Sequence, residues 1–199
     1  MGDPKKHRKK FEGPPHPWQG ARIEREREVV KKYGINRKKE IWKMESLLRH
    51  FKHQAKNLII RTDPQSKKEE LLLLKKLYSL GLLDQDAKLE NILDLDTSHI
   101  LNRRLQTMVV TKGLARTPKQ ARQFIVHRHI LINGKKVSVP SYLVKRQEES
   151  NITFDVNSAL ANNEHPERNV VKKEKSKAVT PLPPKEGKVE KTPIVVETT

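Results

Sequence analysis

Residues 115–136, which read ARTPKQARQFIVHRHILINGKK, constrain the fold of this chain more than any other stretch. Thr117 and Pro118 indicate a helix start, since a hydroxyl at the cap and a proline in the first turn are common there. Asn133 and Gly134 follow a β-prone run, and this dipeptide favours a two-residue hairpin because both turn residues must adopt positive φ. The stretch therefore predicts a helix followed directly by a small antiparallel hairpin.

A second helix is predicted just before this one. Apolar residues recur at helical spacing between about His99 and Lys112, and Gly113 is a suitable C-terminal stop. Residues 152–154 form a further β-prone run after the hairpin. Residues 100–160 are thus predicted to form two helices followed by a small antiparallel sheet.

The region from 21 to 99 is predicted to be helical. A buried stripe at spacings of three and four supports this prediction, and it consists of Ile41, Met44, Leu48, Phe51, Ala55 and Leu58. Residues 1–20 combine lysine and arginine with proline and glycine, which predicts an extended basic arm with Phe11 and Trp18 as anchors. Residues 161–199 lose the apolar pattern, which predicts a disordered basic tail. The predicted fold class is therefore α+β.

Positive charge is the main indicator of function. The chain has 42 Lys and Arg against 24 Asp and Glu, which gives a formal net charge of +18. Residues 103–136 contain nine Lys and Arg and no Asp or Glu. Ordinary soluble surfaces intersperse both signs, so this stretch predicts a polyanionic partner, and nucleic acid above all.

The sequence offers little support for catalysis or a cofactor. The patterns G-x-G-x-x-G, G-x-x-x-x-G-K-[ST], G-x-S-x-G and H-E-x-x-H do not occur. The chain has no cysteine, and the pairs His50/His53 and His127/His129 lack the further ligands that structural zinc needs. We therefore expect no enzyme activity, no cofactor, no metal and no small-molecule substrate. The longest apolar run is the leucines at 71–74, so no membrane span is expected.

Two kinds of nucleic acid remain open on this pattern. A DNA-binding helix-turn-helix also pairs two short helices across a glycine-containing turn. Here a hairpin follows the second helix at once, and no spare apolar stripe for dimerisation is evident. A-form RNA is recognised through shape, phosphates and 2′-hydroxyl groups, which suits cations spread over an arm, helices and a hairpin. RNA is therefore favoured, with DNA as the alternative.

The run ILNRRLQTMVVTKGLARTPKQARQFIVHRHILINGKKVSVPSYLV resembles the RNA-binding module of the S-four family of small-subunit ribosomal proteins. The stretches MGDPKKHRKKFEGPPHPW and YGINRKKEIW resemble the archaeal branch of that family. The resemblance extends over about residues 1–165 and implies a structural, cytoplasmic protein of the small ribosomal subunit. It implies direct and early binding to ribosomal RNA, which nucleates assembly of the subunit body. It also implies a neighbouring protein of the S-five family, whose contact affects the accuracy of translation.

The same resemblance implies particular RNA contacts, namely Arg103, Arg104, Lys112, Arg116, Lys119, Arg122, His127, Arg128 and Lys135. The charge pattern extends the predicted set to Lys136 in the module, to Lys5, Lys6, Arg8, Lys9 and Lys10 in the arm, and to Arg37, Lys38, Lys39, Arg49, Lys52 and Lys56 in the helical region. Arg104 and Arg122 are predicted to face outward, so that replacing either by alanine weakens RNA binding without unfolding. Many bacterial relatives have aspartate where Gln106 stands, so bacterial contacts are not transferred to that position, and neither is their cysteine zinc site.

The module also occurs in proteins with other roles. It is fused to pseudouridine synthases and to a tyrosyl-tRNA synthetase, but residues 1–99 show no strand–helix alternation that would supply a catalytic domain. A stand-alone heat-shock RNA-binding protein that rescues stalled ribosomal particles is the remaining alternative. Such a protein would not need the helical N-terminal region or the arm.

Overall fold

The computed structural model describes residues 2, 9, 11–162 and 165–167. The helices within them are α1 (Gly20–Tyr33), α2 (Lys38–Ile60), α3 (Pro64–Ser79), α4 (Leu89–Leu93), α5 (Thr97–Asn102), α6 (Leu105–Thr111) and α7 (Pro118–Val126). The strands are β1 (Ile130–Ile132), β2 (Lys135–Lys136) and β3 (Ile152–Phe154), which form an antiparallel sheet in the order β2–β1–β3. The predicted α+β class is confirmed. Most of the predicted tail, residues 163–164 and 168–199, lies outside the described residues.

α2 is the central helix of the N-terminal region. Its stripe from Ile41 to Ala55 is buried as predicted, and Leu58 at the end of the stripe is partly buried. The stripe packs against α3, α4 and α5. Full burial of each large apolar side chain contributes roughly 1.5–3 kcal/mol, so this stripe contributes substantially to the stability of the helical region. No helix among the described residues is long and apolar enough to cross a membrane.

Residues 11 and 12 of the predicted arm lie against α2, and the carbonyls of residues 16 and 17 accept hydrogen bonds from Arg22 of α1. The rings of Phe11 and Trp42 lie 6.1 Å apart, centroid to centroid. The Glu12 N–H donates to the Ser46 hydroxyl at 3.0 Å. Trp18 is 90% exposed. Of the two aromatic anchors that the sequence predicts, Phe11 therefore fixes this segment to the protein and Trp18 does not.

Glu26 connects α1 to α2 from a buried position. Its Oε1 accepts a hydrogen bond from the Trp42 indole at 3.0 Å and another from Arg22, and its Oε2 lies 3.1 Å from Lys38 Nζ. Burial by itself raises the pKa of this carboxyl, but the hydrogen bonds from Trp42, Lys38 and Arg22 hold the pKa below its usual value. The ionised form of Glu26 therefore stabilises the folded state.

Glu26→Gln is expected to lower the free energy of unfolding by about 2 kcal/mol at neutral pH, because charge-assisted hydrogen bonds are lost from a buried site. A carboxyl whose folded pKa is depressed stabilises above its unfolded pKa, about 4.3, and loses that effect as pH falls through the folded pKa. The difference between the wild type and Glu26→Gln should therefore shrink towards pH 3. Denaturant unfolding at pH 7 and pH 3 tests this, with Glu24→Gln on the exposed face of α1 as the control. An equal difference at both pH values would contradict it.

The prediction of a single helix over residues 99–112 is wrong, because α5 and α6 are separate helices. The backbone of Arg104 between them is extended and pairs with Leu143 in an isolated antiparallel bridge. The Val144 N–H donates to the carbonyl of Arg103 at 2.9 Å. The chain leaves helical geometry here because a segment from much later in the sequence takes up its backbone hydrogen bonds.

The helix and hairpin predicted over residues 115–136 are confirmed. The Thr117 hydroxyl accepts a hydrogen bond from the backbone N–H of Gln120, and Pro118 is the first residue of α7. Asn133 and Gly134 both have positive φ, 50° and 75°, as the tight turn requires. β1 pairs with β2 on one side and with β3 on the other.

Two hydrophobic clusters form the interior of the described chain. One lies among α1 to α5 and includes Phe51, Leu77 and Ile92. The other lies among α6, α7 and the sheet and includes Val109 and Ile125. The helical region and the module therefore each have an apolar core, and polar contacts join the two.

Gln106 makes one of these polar contacts from a buried position, since its residue is 1% exposed. Its amide nitrogen donates to the carbonyls of Tyr33 at 3.2 Å, Gly34 at 3.0 Å and Pro118 at 2.7 Å. Gly34 has a φ of +60°, and a Cβ at that position would approach Cβ of Pro118 to 2.6 Å, so only glycine fits. The C-terminus of α1 and the N-terminus of α7 thus meet on one buried side chain.

Candidate nucleic-acid interface

The structure divides the basic residues of the module into groups with different surroundings. Arg104 is 1% exposed, and its guanidinium donates to Glu40 Oε2. The prediction that Arg104 faces outward is therefore wrong. Its extended backbone and its ion pair place the side chain between α2 and the module instead of on a helix surface. In this conformation Arg104 contributes to the fold and does not reach solvent.

The side chain of Arg103 also binds mainly to other groups of the protein. Its guanidinium donates to Glu149 at 2.9 Å and to the carbonyl of Val144 at 3.2 Å. It also lies over Gly81, where an added Cβ would meet Arg103 Cζ at 2.9 Å. Arg103 therefore connects the end of α3 to the segment before β3.

Three more cations of the module have partners within the protein. Arg116 donates to the carbonyls of Pro166 and Glu167 at 2.8–3.0 Å, and Lys112 donates to the carbonyl of Glu149. Lys136 Nζ lies 2.5 Å from Asp155 Oδ2, and its hydrogen bond lowers the pKa of that carboxyl. All three lysines and arginines are exposed, so these contacts leave them accessible to a further partner.

Lys119, Arg128 and Lys135 are exposed, and their side chains have no hydrogen-bond or ion-pair partner among the described residues. His127 is exposed beside Arg128, with its ring 6.3 Å from that of His129. His129 is engaged by Ser158, whose Oγ lies 2.8 Å from His129 Nδ1. Both ends of α7 and the hairpin turn therefore present unpaired positive charge.

Arg128 lies at a backbone position that normally favours glycine. α1, α3 and α6 each end with a left-handed residue, and in all three it is glycine: Gly34, Gly81 and Gly113. α7 ends in the same way, with Arg128 at a φ of 63° and the His129 N–H donating to the carbonyl of Phe124 at 3.0 Å. A side chain at such a position costs about 1 kcal/mol or more relative to glycine. The Arg128 side chain makes no hydrogen bond or ion pair among the described residues that would offset this cost.

Five of the six predicted cations of the helical region line two hollows, and Lys38 does not. Arg37 and Lys39, at the N-terminus of α2, line a concavity of about 400 Å³ together with Lys43, Glu40, Arg122 and the bend at 140–141. Arg49, Lys52 and Lys56 line another of about 350 Å³ further along α2. Lys38 is paired with Glu26, and Arg49 is also paired with Glu12. In the arm, Lys9 is exposed, whereas Lys5, Lys6, Arg8 and Lys10 lie outside the described residues.

Two residues that matter here were missed at the sequence level. Glu40 accepts hydrogen bonds from Arg104 and Arg122, and Lys43 lines the same concavity. The signal in the sequence for Glu40 is its isolation, since it is the only acid in the run RKKEIWK. The described residues contain no group of three or more His, Asp or Glu that could hold a metal ion.

Comparison with known proteins identifies the family. Residues 103–150 match the family model of the S4 domain. The chain is 54% identical over 169 residues to small ribosomal subunit protein uS4 of Methanococcus aeolicus, a match that covers 84% of this chain and 96% of that protein. It is 50% identical over 169 residues to uS4 of Methanococcus maripaludis strain C6, covering 84% and 95% of the two proteins. A further uS4 from Methanococcus maripaludis is 47% identical over 178 residues, covering 88% of this chain and 99% of that protein. The S-four resemblance is therefore confirmed, and the chain belongs to the family of small ribosomal subunit protein uS4.

Proposed function

We propose that this chain is a structural protein of the small ribosomal subunit in the cytoplasm, where it binds ribosomal RNA directly through its S4 domain. Its relatives are named as proteins of that subunit, and they match it over most of both chains. The observation that carries RNA binding is the charge of residues 103–136, which contain nine Lys and Arg and no acid. Six of these nine cations are exposed in the structure, namely Lys112, Arg116, Lys119, Arg128, Lys135 and Lys136. Exposed charges of one sign repel one another, and a polyanion relieves this repulsion.

The proposed mechanism is charge neutralisation combined with a fit to RNA shape. Lys119, Lys135 and Arg128 contact backbone phosphates, lysine as a point charge and arginine as a two-pronged donor. Arg103 and Arg104 act mainly by holding the module to the helical region. The arm (1–20), the helical domain (21–99) and the module (100–160) then bind the RNA together, and the tail (161–199) adds charge.

We further propose that binding occurs early and nucleates assembly of the subunit body. A rigid module with cations already in place suits a protein that recognises an RNA fold before other proteins arrive. A neighbouring protein of the S-five family contacts this chain in the subunit and influences the accuracy of translation together with it. No catalytic step is part of this function.

A salt-titrated binding curve tests the proposed function. The RNA is the organism's own small-subunit ribosomal RNA, and the competitors are an unrelated structured RNA and a DNA duplex of similar length. Log affinity should fall linearly with log salt, with a slope set by the number of phosphates neutralised. We expect the cognate RNA to keep at least a roughly tenfold preference at high salt. Coinciding curves at every salt concentration would show a general polyanion binder and would refute specific recognition of the ribosomal RNA.

Arg128→Gly is expected to stabilise the protein and to weaken RNA binding. Glycine relieves the left-handed strain, which should raise the free energy of unfolding by about 1 kcal/mol. Loss of a phosphate contact should weaken binding and reduce the salt slope by about one unit. Lys75→Ala on the exposed face of α3 is the charge-matched control. Unchanged RNA affinity in Arg128→Gly would remove Arg128 from the interface.

A further inference from the structure

The concavity at the N-terminus of α2 contains an acid that an RNA-binding surface would be expected to exclude. Glu40 lies there among Arg37, Lys39, Lys43 and Arg122, and it is the only carboxylate among the described residues that line the hollow. A negative charge beside RNA phosphates weakens binding by Coulomb repulsion. Glu40 must therefore have a role in this hollow that outweighs its repulsion of RNA phosphates.

The contacts of Glu40 indicate that role. Its Oε2 accepts from the buried Arg104, and its Oε1 lies 3.4 Å from Nη1 of Arg122. The Arg122 side chain is 25% exposed and lines the hollow. One carboxylate is thus shared by an arginine that faces the interior and an arginine that faces the hollow.

This sharing restricts Arg122 before any RNA arrives. A free arginine side chain loses considerable rotamer freedom when it binds a phosphate, which weakens the binding. Contact with Glu40 fixes part of that freedom on folding. Arg104 holds the other oxygen of Glu40 in place. It cannot shift with Glu40, because it is 1% exposed and its backbone is bridged to Leu143. Glu40 is therefore anchored on one side and directs Arg122 on the other.

We propose that the hollow holds a phosphate group of the ribosomal RNA backbone and that Glu40 is a positioning residue that aims Arg122 at it. Arg37, Lys39 and Lys43 supply the other positive charges, so the lining has four cations against one carboxylate. The N-terminus of α2 adds a partial positive charge on the same side. This inference rests on the RNA binding proposed above. It gives Glu40 a role in RNA binding, although the negative charge of Glu40 by itself would weaken that binding.

The test is a substitution whose effect has opposite signs under the two explanations. If Glu40 only repels RNA, Glu40→Gln removes a negative charge and binding to the cognate RNA tightens. If Glu40 positions Arg122, the same change weakens binding about tenfold, the loss expected when one charge-assisted hydrogen bond is no longer oriented. Glu28→Gln on exposed α1 is the control for removing one negative charge. Binding by Glu40→Gln that is tighter than or equal to that of the wild type overturns the proposal.

A second variant separates positioning from folding. Glu40→Gln alone leaves the buried Arg104 without its partner, which destabilises the fold. Glu40→Gln combined with Arg104→Met removes both charges, so no buried charge remains unpaired and the net charge equals that of the wild type. This double variant should melt close to the wild type and should still bind the cognate RNA about tenfold more weakly. Wild-type affinity in the folded double variant overturns the proposal.

A double-mutant cycle identifies the residue through which Glu40 acts. In an Arg122→Ala background there is no side chain for Glu40 to direct, so adding Glu40→Gln together with Arg104→Met should cause no further loss. An equal tenfold loss in both backgrounds would show that Glu40 does not act through Arg122.

The proposed function and the positioning role of Glu40 fail through different results. If the wild type shows no preference for its own ribosomal RNA, the proposed function fails; if it shows that preference and the Glu40 variants keep it, only the positioning role fails.

Discussion

Gln106→Glu is expected to lower the free energy of unfolding by about 3–5 kcal/mol, the loss typical of an unpaired buried charge. The Gln106 amide nitrogen donates to three backbone carbonyls, and the side chain is almost fully enclosed. A carboxylate has no proton to donate, so it would face three acceptors at hydrogen-bond distance. The C-terminus of α1 and the N-terminus of α7 would then separate, and the two apolar cores would lose one of their buried connections.

Denaturant unfolding followed by circular dichroism measures this loss, with Gln123→Glu on the exposed face of α7 as the matched control. The pH dependence provides a second check. Burial and the three carbonyls raise the folded pKa of the introduced carboxyl above its unfolded value of about 4.3. The penalty is therefore small below pH 4, where the carboxyl is protonated in both states, and it grows as pH rises towards the folded pKa. A loss under 1 kcal/mol at pH 7 would contradict this account of Gln106.

Local signals in the sequence predicted most of the secondary structure. Thr117 and Pro118 begin α7, Asn133 and Gly134 form the hairpin turn, and the apolar stripe of α2 is buried. Each of these features depends on residues within a few positions of one another, so spacing and residue type are enough to indicate them. The fold class and the order of elements follow from such signals.

Long-range contacts explain where the sequence failed. The break between α5 and α6 depends on backbone pairing of Arg104 with Leu143. The apolar periodicity of residues 99–112 cannot indicate a partner that lies so far along the sequence. Gln106 was conspicuous only as a departure from the bacterial pattern. Its partners at Tyr33 and Pro118 become visible only when the chain is folded.

The role of each cation was also beyond the sequence. Arg103, Arg104 and Arg128 are equivalent members of one basic run when only the letters are read. In the structure, the first two pair with Glu149 and Glu40, whereas Arg128 is exposed in a strained backbone conformation. Charge density predicted the kind of partner, and burial decides which residues are free to meet it.

Arg104→Ala is expected to destabilise the protein by about 3–5 kcal/mol, because it removes one member of a buried ion pair and leaves a cavity. Glu40 would keep only its 3.4 Å contact with Arg122. Arg104→Met fills most of the space but still leaves the Glu40 carboxylate without its buried partner. Its loss of stability should therefore be smaller than that of Arg104→Ala. Arg128→Ala, which removes an exposed charge from the same run, should cost less than 1 kcal/mol.

The melting temperature and the RNA affinity of these variants together decide what Arg104 does. A residue that contacts RNA from the surface would give weaker binding with unchanged melting when replaced by alanine. The burial of Arg104 predicts a different result, in which a large fall in melting temperature accompanies any loss of RNA binding. Adding Glu40→Gln to Arg104→Met removes the second charge of the pair. This should recover stability, since no buried charge is then unpaired. Unchanged melting of Arg104→Ala, together with weaker RNA binding, would return Arg104 to the interface.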